Sequence, residues 1–249
     1  NMIILKTRRE IEIMKKAGRL VAQSHELVRK NIKPGVTTKE LDRLVEDFLR
    51  SNNAIPTFKG YNGFPFSICA SVNEEVVHGF PSERKLMAGD IISVDIGATF
   101  EGYVGDSAKT FIVGDVDEEK KHLVEATKQC FYEGIKFAKV SYRLSDISHA
   151  IQQYAESQGL SVVRDYVGHG VGKKMHESPQ IPNFGKPNKG PRLQEGMVLA
   201  IEPMINTGVY NVKVLENGWT VVTVDGKPSA HYEHTVAITD GEPELLTVL

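Results

Sequence analysis

A constant offset runs through this chain and limits what it can fold into. The amphipathic stripe Leu41, Leu44, Val45, Phe48, Leu49 returns as Ile147, Ala150, Ile151, Tyr154, so that Leu41 falls on Ile147 and Phe48 on Tyr154, a shift of 106 residues both times. The strand-like run AGDIISVDIG returns as EGMVLAIEPM, with Gly89 on Gly196 and Asp95 on Glu202, a shift of 107. Chance can align two amphipathic helices, but it rarely also puts an acid at the same place in two apolar runs. The offset therefore predicts a single domain over residues 1–249 built from two related halves, about 8–114 and 117–240. Each half reads as helix, helix, antiparallel strands, which makes the expected fold class α+β, antiparallel sheet covered by helices. The two acidic strands should then lie side by side about a pseudo-two-fold axis.

Local signals fill in the halves. Residues 8–31 have helical spacing, Pro34-Gly35 ends that helix, and Thr37 with Glu40 offers a cap for the next. Residues 117–138 and 144–157 carry the corresponding stripes in the second half. Gly89 to Phe111 reads as a hairpin in which Ile92, Val94 and Ile96 alternate with Ser93, Asp95 and Gly97. A reversal at Phe100 to Gly102, centred near 100–101, sets Asp95 opposite Asp106 on one face. Residues 165–182 are too glycine-rich and polar for core and read as a loop, and 229–239 read as one strand.

Four acids interrupt apolar strands: Asp95, Asp106, Glu202 and Glu233. An unpaired carboxylate in a run such as MVLAIEPMI is strongly disfavoured, and too few basic residues share these strands to pair all four. Metal is the economical solution, and carboxylates with one or two imidazoles suit Mn, Fe, Co or Zn. Two ions bridged about 3.5–4 Å apart would also supply an acidified water near neutral pH. His169 and His176 flank GHGVGKKMH and His78 ends VVHGFP, places where catalytic groups usually lie. His25, His122 and His149 fall on predicted helices and read as ordinary structural or solvated residues, while His231 and His234 border Glu233 as supporting groups at most. Gly168-x-Gly170-x-Gly172 lacks dinucleotide spacing, and Cys69 reads as a buried thiol lining a pocket rather than a nucleophile.

A net charge of −2 gives no basic field for nucleic acid or anionic lipid, and no apolar run reaches the length of a membrane span. Two cysteines imply no disulfide framework, so a soluble, cytoplasmic protein is expected.

VNEEVVHG, VDIG with GYVGDSAKTFIVG, GHGVGKKMHESPQIP, EGMVLAIEPM and YEHT resemble, in order, the motif blocks of the type I methionine aminopeptidases, from about residue 3 to the C-terminus. The resemblance implies the pita-bread fold, two pseudo-symmetric halves around a dinuclear metal site. It implies Asp95, Asp106, His169, Glu202 and Glu233 as metal ligands. Asp106 and Glu233 would bridge, His169 and Glu202 would complete one ion, and Asp95 the other. His78 and His176 match the catalytic histidines, facing the scissile amide nitrogen and the developing oxyanion, with Glu202 as proton shuttle. Phe58, Tyr61, Phe64, Cys69, His78, Met175, His176 and Trp219 would bind the substrate's methionine end, although Phe58 and Met175 depart from residues often found there. Asn73 and Ser229 match a monovalent-cation site of some members.

The implied function is hydrolytic removal of the N-terminal methionine from nascent polypeptides, favouring a small second residue, with transient ribosome association as the expected partnership. Without an N-terminal extension, no dedicated ribosome-docking module is expected. A proline-specific aminopeptidase or dipeptidase of the same superfamily is the enzyme alternative. Only about ninety residues precede Asp95, however, where those relatives usually carry a large N-terminal domain. The spans from Asp106 to His169 and from His169 to Glu202 leave no room for the insertion of a type II enzyme. A non-catalytic pita-bread binding protein is the other alternative, and such proteins typically lose ligands that are all present in this chain.

Overall fold

The computed structural model describes residues 2–249; Asn1, the first residue of the expected domain, lies outside them. Thr7 caps α1 (Arg8–Asn31) and Thr37 caps α2 (Thr38–Ser51), each in a capping box closed by the glutamate three residues on, Glu10 or Glu40. Strands β1 (Ile55–Pro56), β2 (Ile68–Val72) and β3 (Glu75–Val77) lead to the hairpin β4 (Ile91–Phe100) and β5 (Tyr103–Ile112). Helices α3 (Glu118–Ile135), capped by Asp117, and α4 (Leu144–Ser157) follow. Then come β6 (Ser161–Val162), β7 (Gly168–Gly170), β8 (Glu177–Ile181), β9 (Val198–Ile201) and β10 (Met204–Asn206). The chain closes with β11 (Val212–Val214), β12 (Val221–Thr223), β13 (Ser229–His231), β14 (His234–Ala237) and β15 (Glu244–Leu245).

The result is α+β with antiparallel pairing throughout. β4 pairs β5 on one edge and β1 and β2 on the other, while β15-β14-β9-β7-β8 form the largest sheet. Helices α1 and α2 cover the first sheet with Val21, Leu41, Val45 and Leu49 against Ile68, Val94 and Ile96. Helices α3 and α4 cover the second with Leu123, Phe131, Ile147 and Ile151 against Leu199, Ile201 and Val236. Each of these fully buried aliphatic side chains contributes about 1.5–3 kcal/mol.

Four expectations need correction. The hairpin reverses at Glu101-Gly102, both at positive φ (50° and 84°), because a two-residue turn of that kind matches the strand twist. The register then pairs Asp95 with Ala108 and Asp106 with Gly97, so the two acids are diagonal neighbours on one face rather than directly opposite. The acidic strands that meet across the halves are not those of Asp95 and Glu202. Instead an isolated bridge joins Ala108 to Glu233, flanked by Ser107 Oγ donating to the Glu233 carbonyl and Thr235 Oγ1 donating to the Asp106 carbonyl. Residues 165–182 are not a loop: β7 is buried in the five-stranded sheet between β8 and β9. Its glycines are required there, since a Cβ at Gly168 or Gly170 would strike the Ala200 or Ser178 carbonyl.

Finally, 229–239 is not one strand. β13 pairs β10 through His231↔Met204, and β14 pairs β9 through His234↔Ile201. Both ribbons break at the same level, at Glu202-Pro203 and Tyr232-Glu233, where Pro203 has no N–H to give and its carbonyl accepts from Tyr232 N. The break carries two of the four acids.

Candidate metal centre

The acids arrive from four directions. Asp95 and Asp106 come from the diagonal of the β4–β5 hairpin, Glu202 from the β9–β10 break and Glu233 from the β13–β14 break. His169 comes from the middle of β7. Its Nε2 lies 3.4 Å from Asp106 Oδ2, 3.4 Å from Glu202 Oε1 and 4.0 Å from Glu233 Oε2. Its Nδ1 donates to the Gly170 carbonyl at 2.9 Å, which orients the ring and leaves Nε2 facing the acids.

Burial raises Asp95 and Glu233 well above the usual carboxylate range. Asp106 and Glu202 push both further, and Asp95 adds to the shift of Glu233. Burial works the same way on Asp106, but hydrogen bonding and the charge of His169 bring it below its ordinary value. Burial opposes a proton on His169, and the bond to Asp106 with the charges of Glu202 and Asp106 outweighs it, to about 9. So many like charges out of water require positive charge among them.

Asp95 Oδ1, Asp106 Oδ1 and both Glu233 carboxylate oxygens are buried without any hydrogen-bond partner among the described residues. Orphaned carboxylate oxygens beside an imidazole whose Nε2 faces them are the donor set a divalent cation takes, and the residues fit such an ion. The donor atoms form two groups, each within 4.8 Å: Asp95, Glu202, His231 and Glu233, and Asp106, His169 and Glu233. Glu233 is common to both. The grouping differs from the sequence expectation by setting Glu202 with Asp95 and by adding His231, whose Nε2 lies 3.0 Å from Glu202 Oε2.

A cavity of about 280 Å³ opens over these groups. Phe58, Tyr61, Phe64, Cys69, His78, Met175, His176 and Trp219, all expected at the substrate site, line it together with Asp95, Asp106, His169 and Glu202. Phe64 and Trp219 stand edge to face at 5.2 Å, giving one end an apolar wall. Burial, reinforced by the negative charge of Asp95, raises the Cys69 thiol well above its usual range, which suits a wall rather than a nucleophile. His176 lies with its ring centroid 4.2 Å from that of His169, and its Nδ1 is 2.8 Å from the Tyr61 hydroxyl. Desolvation lowers the pKa of both His78 and His176, and the charge of His169 lowers that of His176 further. His78 sits at φ 60°, its carbonyl accepting from Thr220 Oγ1, a left-handed conformation that ends β3 and turns the chain at the cavity wall.

Val77, Tyr166 and Met204 also line the cavity and went unread in the sequence. Each sits in or beside an apolar or glycine-rich run with no charge to single it out. The helical histidines are as expected: His25 donates to the Ser107 carbonyl, while His122 and His149 bond the carbonyls of Gln158 and Gly185. His234 bonds Thr247 and Tyr232, outside the cavity.

The profile of metallopeptidase family M24 matches residues 12–240. A relative from Bacillus subtilis, methionine aminopeptidase 1, is 60% identical over 246 residues, 99% of each chain. The crystal structure of a methionine aminopeptidase from Thermotoga maritima superposes with a TM-score of 0.98 at 51% identity, covering all of both chains. A prolidase from Pyrococcus horikoshii shares the fold alone, with a TM-score of 0.77 at 22% identity over 99% of this chain and 64% of its own.

Proposed function

Because the chain belongs to metallopeptidase family M24, and within it to the type I methionine aminopeptidases, we propose that the cavity is where an N-terminal methionine is cut from a peptide. The fold is the pita-bread fold of that family, and the activity is metal-dependent removal of the N-terminal methionine. Asp95, Asp106, His169, Glu202 and Glu233 would hold two divalent ions. Ions held there would polarise the scissile carbonyl and acidify water.

The chain's own groups do the rest. The Phe64–Trp219 wall, Phe58, Tyr61, Cys69 and Met175 take the methionine side chain, and the family resemblance favours a small second residue beyond it. Glu202, at the mouth of the ligand cluster, takes the proton of the attacking water and passes it to the departing amine. His176 has its Nδ1 2.8 Å from the Tyr61 hydroxyl, and with that hydroxyl donating to Nδ1 its Nε2 would carry the proton and donate to the developing oxyanion. His78 faces the scissile nitrogen. The observation that carries this reading is the set of four buried, partnerless carboxylate oxygens beneath an apolar cavity.

Matched spans support the reading of two related halves. Residues 38–51 and 144–157 are both helices, and β4 corresponds to β9 plus β10, with Asp95 on Glu202. For the monovalent cation, Asn73 and Ser229 adjoin, Ser229 N donating to the Asn73 carbonyl at 3.0 Å. Nascent chains, met transiently at the ribosome in the cytoplasm, are the substrates this reading calls for. Cys69 and Cys130 are free thiols, as that reducing compartment allows.

The test is hydrolysis of Met-Ala and Ala-Pro peptides with and without a chelator. We expect cleavage of the first alone, its loss on chelation, and its return with Co or Mn. Asp106→Asn should lose metal binding and activity together. Undiminished Met-Ala cleavage by that variant would sink the ligand assignment, and preference for Ala-Pro would favour the proline-specific alternative.

A further inference from the structure

One buried ion pair has no part in the chemistry above. Lys6 Nζ lies 2.6 Å from Glu177 Oε1, with the side chains 3% and 7% exposed. Lys6 precedes the cap of α1, and its backbone N–H donates to the Gly196 carbonyl at 2.8 Å while Nζ also donates to the Ile4 carbonyl at 3.0 Å. Glu177 opens β8 and directly follows His176. The pair thus ties a segment before the first helix to a position 171 residues later.

With His176 on the cavity wall, Glu177 turns the other way, into the interior, where Lys6 meets it. Gly172 leaves the room for this contact, since a Cβ there would lie 2.6 Å from both Lys6 Cε and Glu177 Oε2. The Lys174 amide donates to Glu177 Oε2 at 3.4 Å, so the same carboxylate also gathers the turn between Gly172 and His176. A carboxylate buried against one ammonium is held in one geometry, and without that partner it must turn out toward water. The peptide that turns with it is the one carrying His176.

We propose that Lys6 is a positioning residue for the reaction: through Glu177 it strapss the start of β8 in place and so fixes where the His176 imidazole stands. This rests on the oxyanion role given to His176 above. The expectation is a rate effect larger than any binding effect, because among the groups that grip the substrate's side chain only Met175 shares the turn with His176.

The experiment is a cycle of Lys6→Met, His176→Ala and the double variant, assayed as metal-loaded enzymes on a Met-Ala peptide. Lys6→Met should lower kcat roughly 10–100-fold, as a displaced catalytic group does, with KM within about threefold. In the His176→Ala background the same change should move kcat by less than about twofold, since coupled residues do not add. A His176→Ala enzyme with full kcat would overturn both the role of His176 and the strap. A deficient His176→Ala enzyme in which Lys6→Met costs its whole factor again would overturn the strap alone, as would an unchanged kcat in Lys6→Met. If Lys6→Met fails to fold, Lys6→Gln, which keeps a neutral donor for Glu177, takes its place in the same cycle.

Discussion

His25 stands on α1 wholly inside the protein, its Nε2 donating to the Ser107 carbonyl at 2.9 Å and its Nδ1 without a partner. Burial holds its pKa down, from the ordinary 6.5 to about 3. Below pH 6.5 the unfolded chain protonates this ring and the folded protein does not, until about pH 3. The unfolded state therefore binds more protons across that window, and stability falls as pH drops through it, by at most on the order of 5 kcal/mol. His25→Gln keeps a donor and does not titrate, so its urea midpoint should fall less between pH 7 and pH 4 than the parent's; parallel slopes would refute this. His231 makes a second prediction at this scale. Its contact with Glu202 Oε2 at 3.0 Å orients a proposed ligand, so His231→Ala should weaken metal affinity by about 10–100-fold in a competition titration, and His231→Gln by less. The acids themselves were legible because a charge inside an apolar run violates a physical rule wherever it occurs. His231 was legible only as a supporting group beside Glu233, because its partner Glu202 is set by a break in pairing that alternation along a strand does not encode.

Two glycines show how differently the same residue serves an element. Gly102 closes the β4–β5 turn at φ 84°, and nothing lies within 4 Å of where its Cβ would be. Gly102→Ala should cost about 1–2 kcal/mol of stability from backbone strain alone, with kcat and KM unchanged. Gly170 is different, since an added Cβ would strike the Ser178 carbonyl and its own carbonyl accepts from His169 Nδ1. Gly170→Ala should therefore lose activity out of proportion to its fall in melting temperature, and matching kinetics for the two variants would contradict that account. Helices α1, α2 and α4 could be bounded from the sequence because caps and the helical period are local signals. Register is not local. The two-residue slip that made Asp95 and Asp106 diagonal, the burial of β7 and the twin breaks beside Pro203 each depend on strands distant in sequence.

Across the whole molecule, the centre draws on both halves of the chain: Asp95 and Asp106 come from the first, and His169, Glu202 and Glu233 from the second. The halves meet where Ala108 pairs Glu233 and where Thr235 Oγ1 donates to the Asp106 carbonyl and accepts from the Asp106 amide. The seam therefore brings the proposed ligands from the two halves together, and a cation bound between them would join the halves as well as the acids. An ion that binds only the folded state adds about 2.7 kcal/mol at a hundredfold excess over its dissociation constant. Without it, buried like charges face one another across the seam. Chelation should then lower the melting temperature of the parent protein, and returning a divalent metal should restore it. Asp106→Asn removes one charge and one ligand together, so its melting temperature should change little on chelation or on adding metal. A variant as metal-sensitive as the parent would mean that the ion is held by one half alone and that the seam is closed by hydrogen bonds without it.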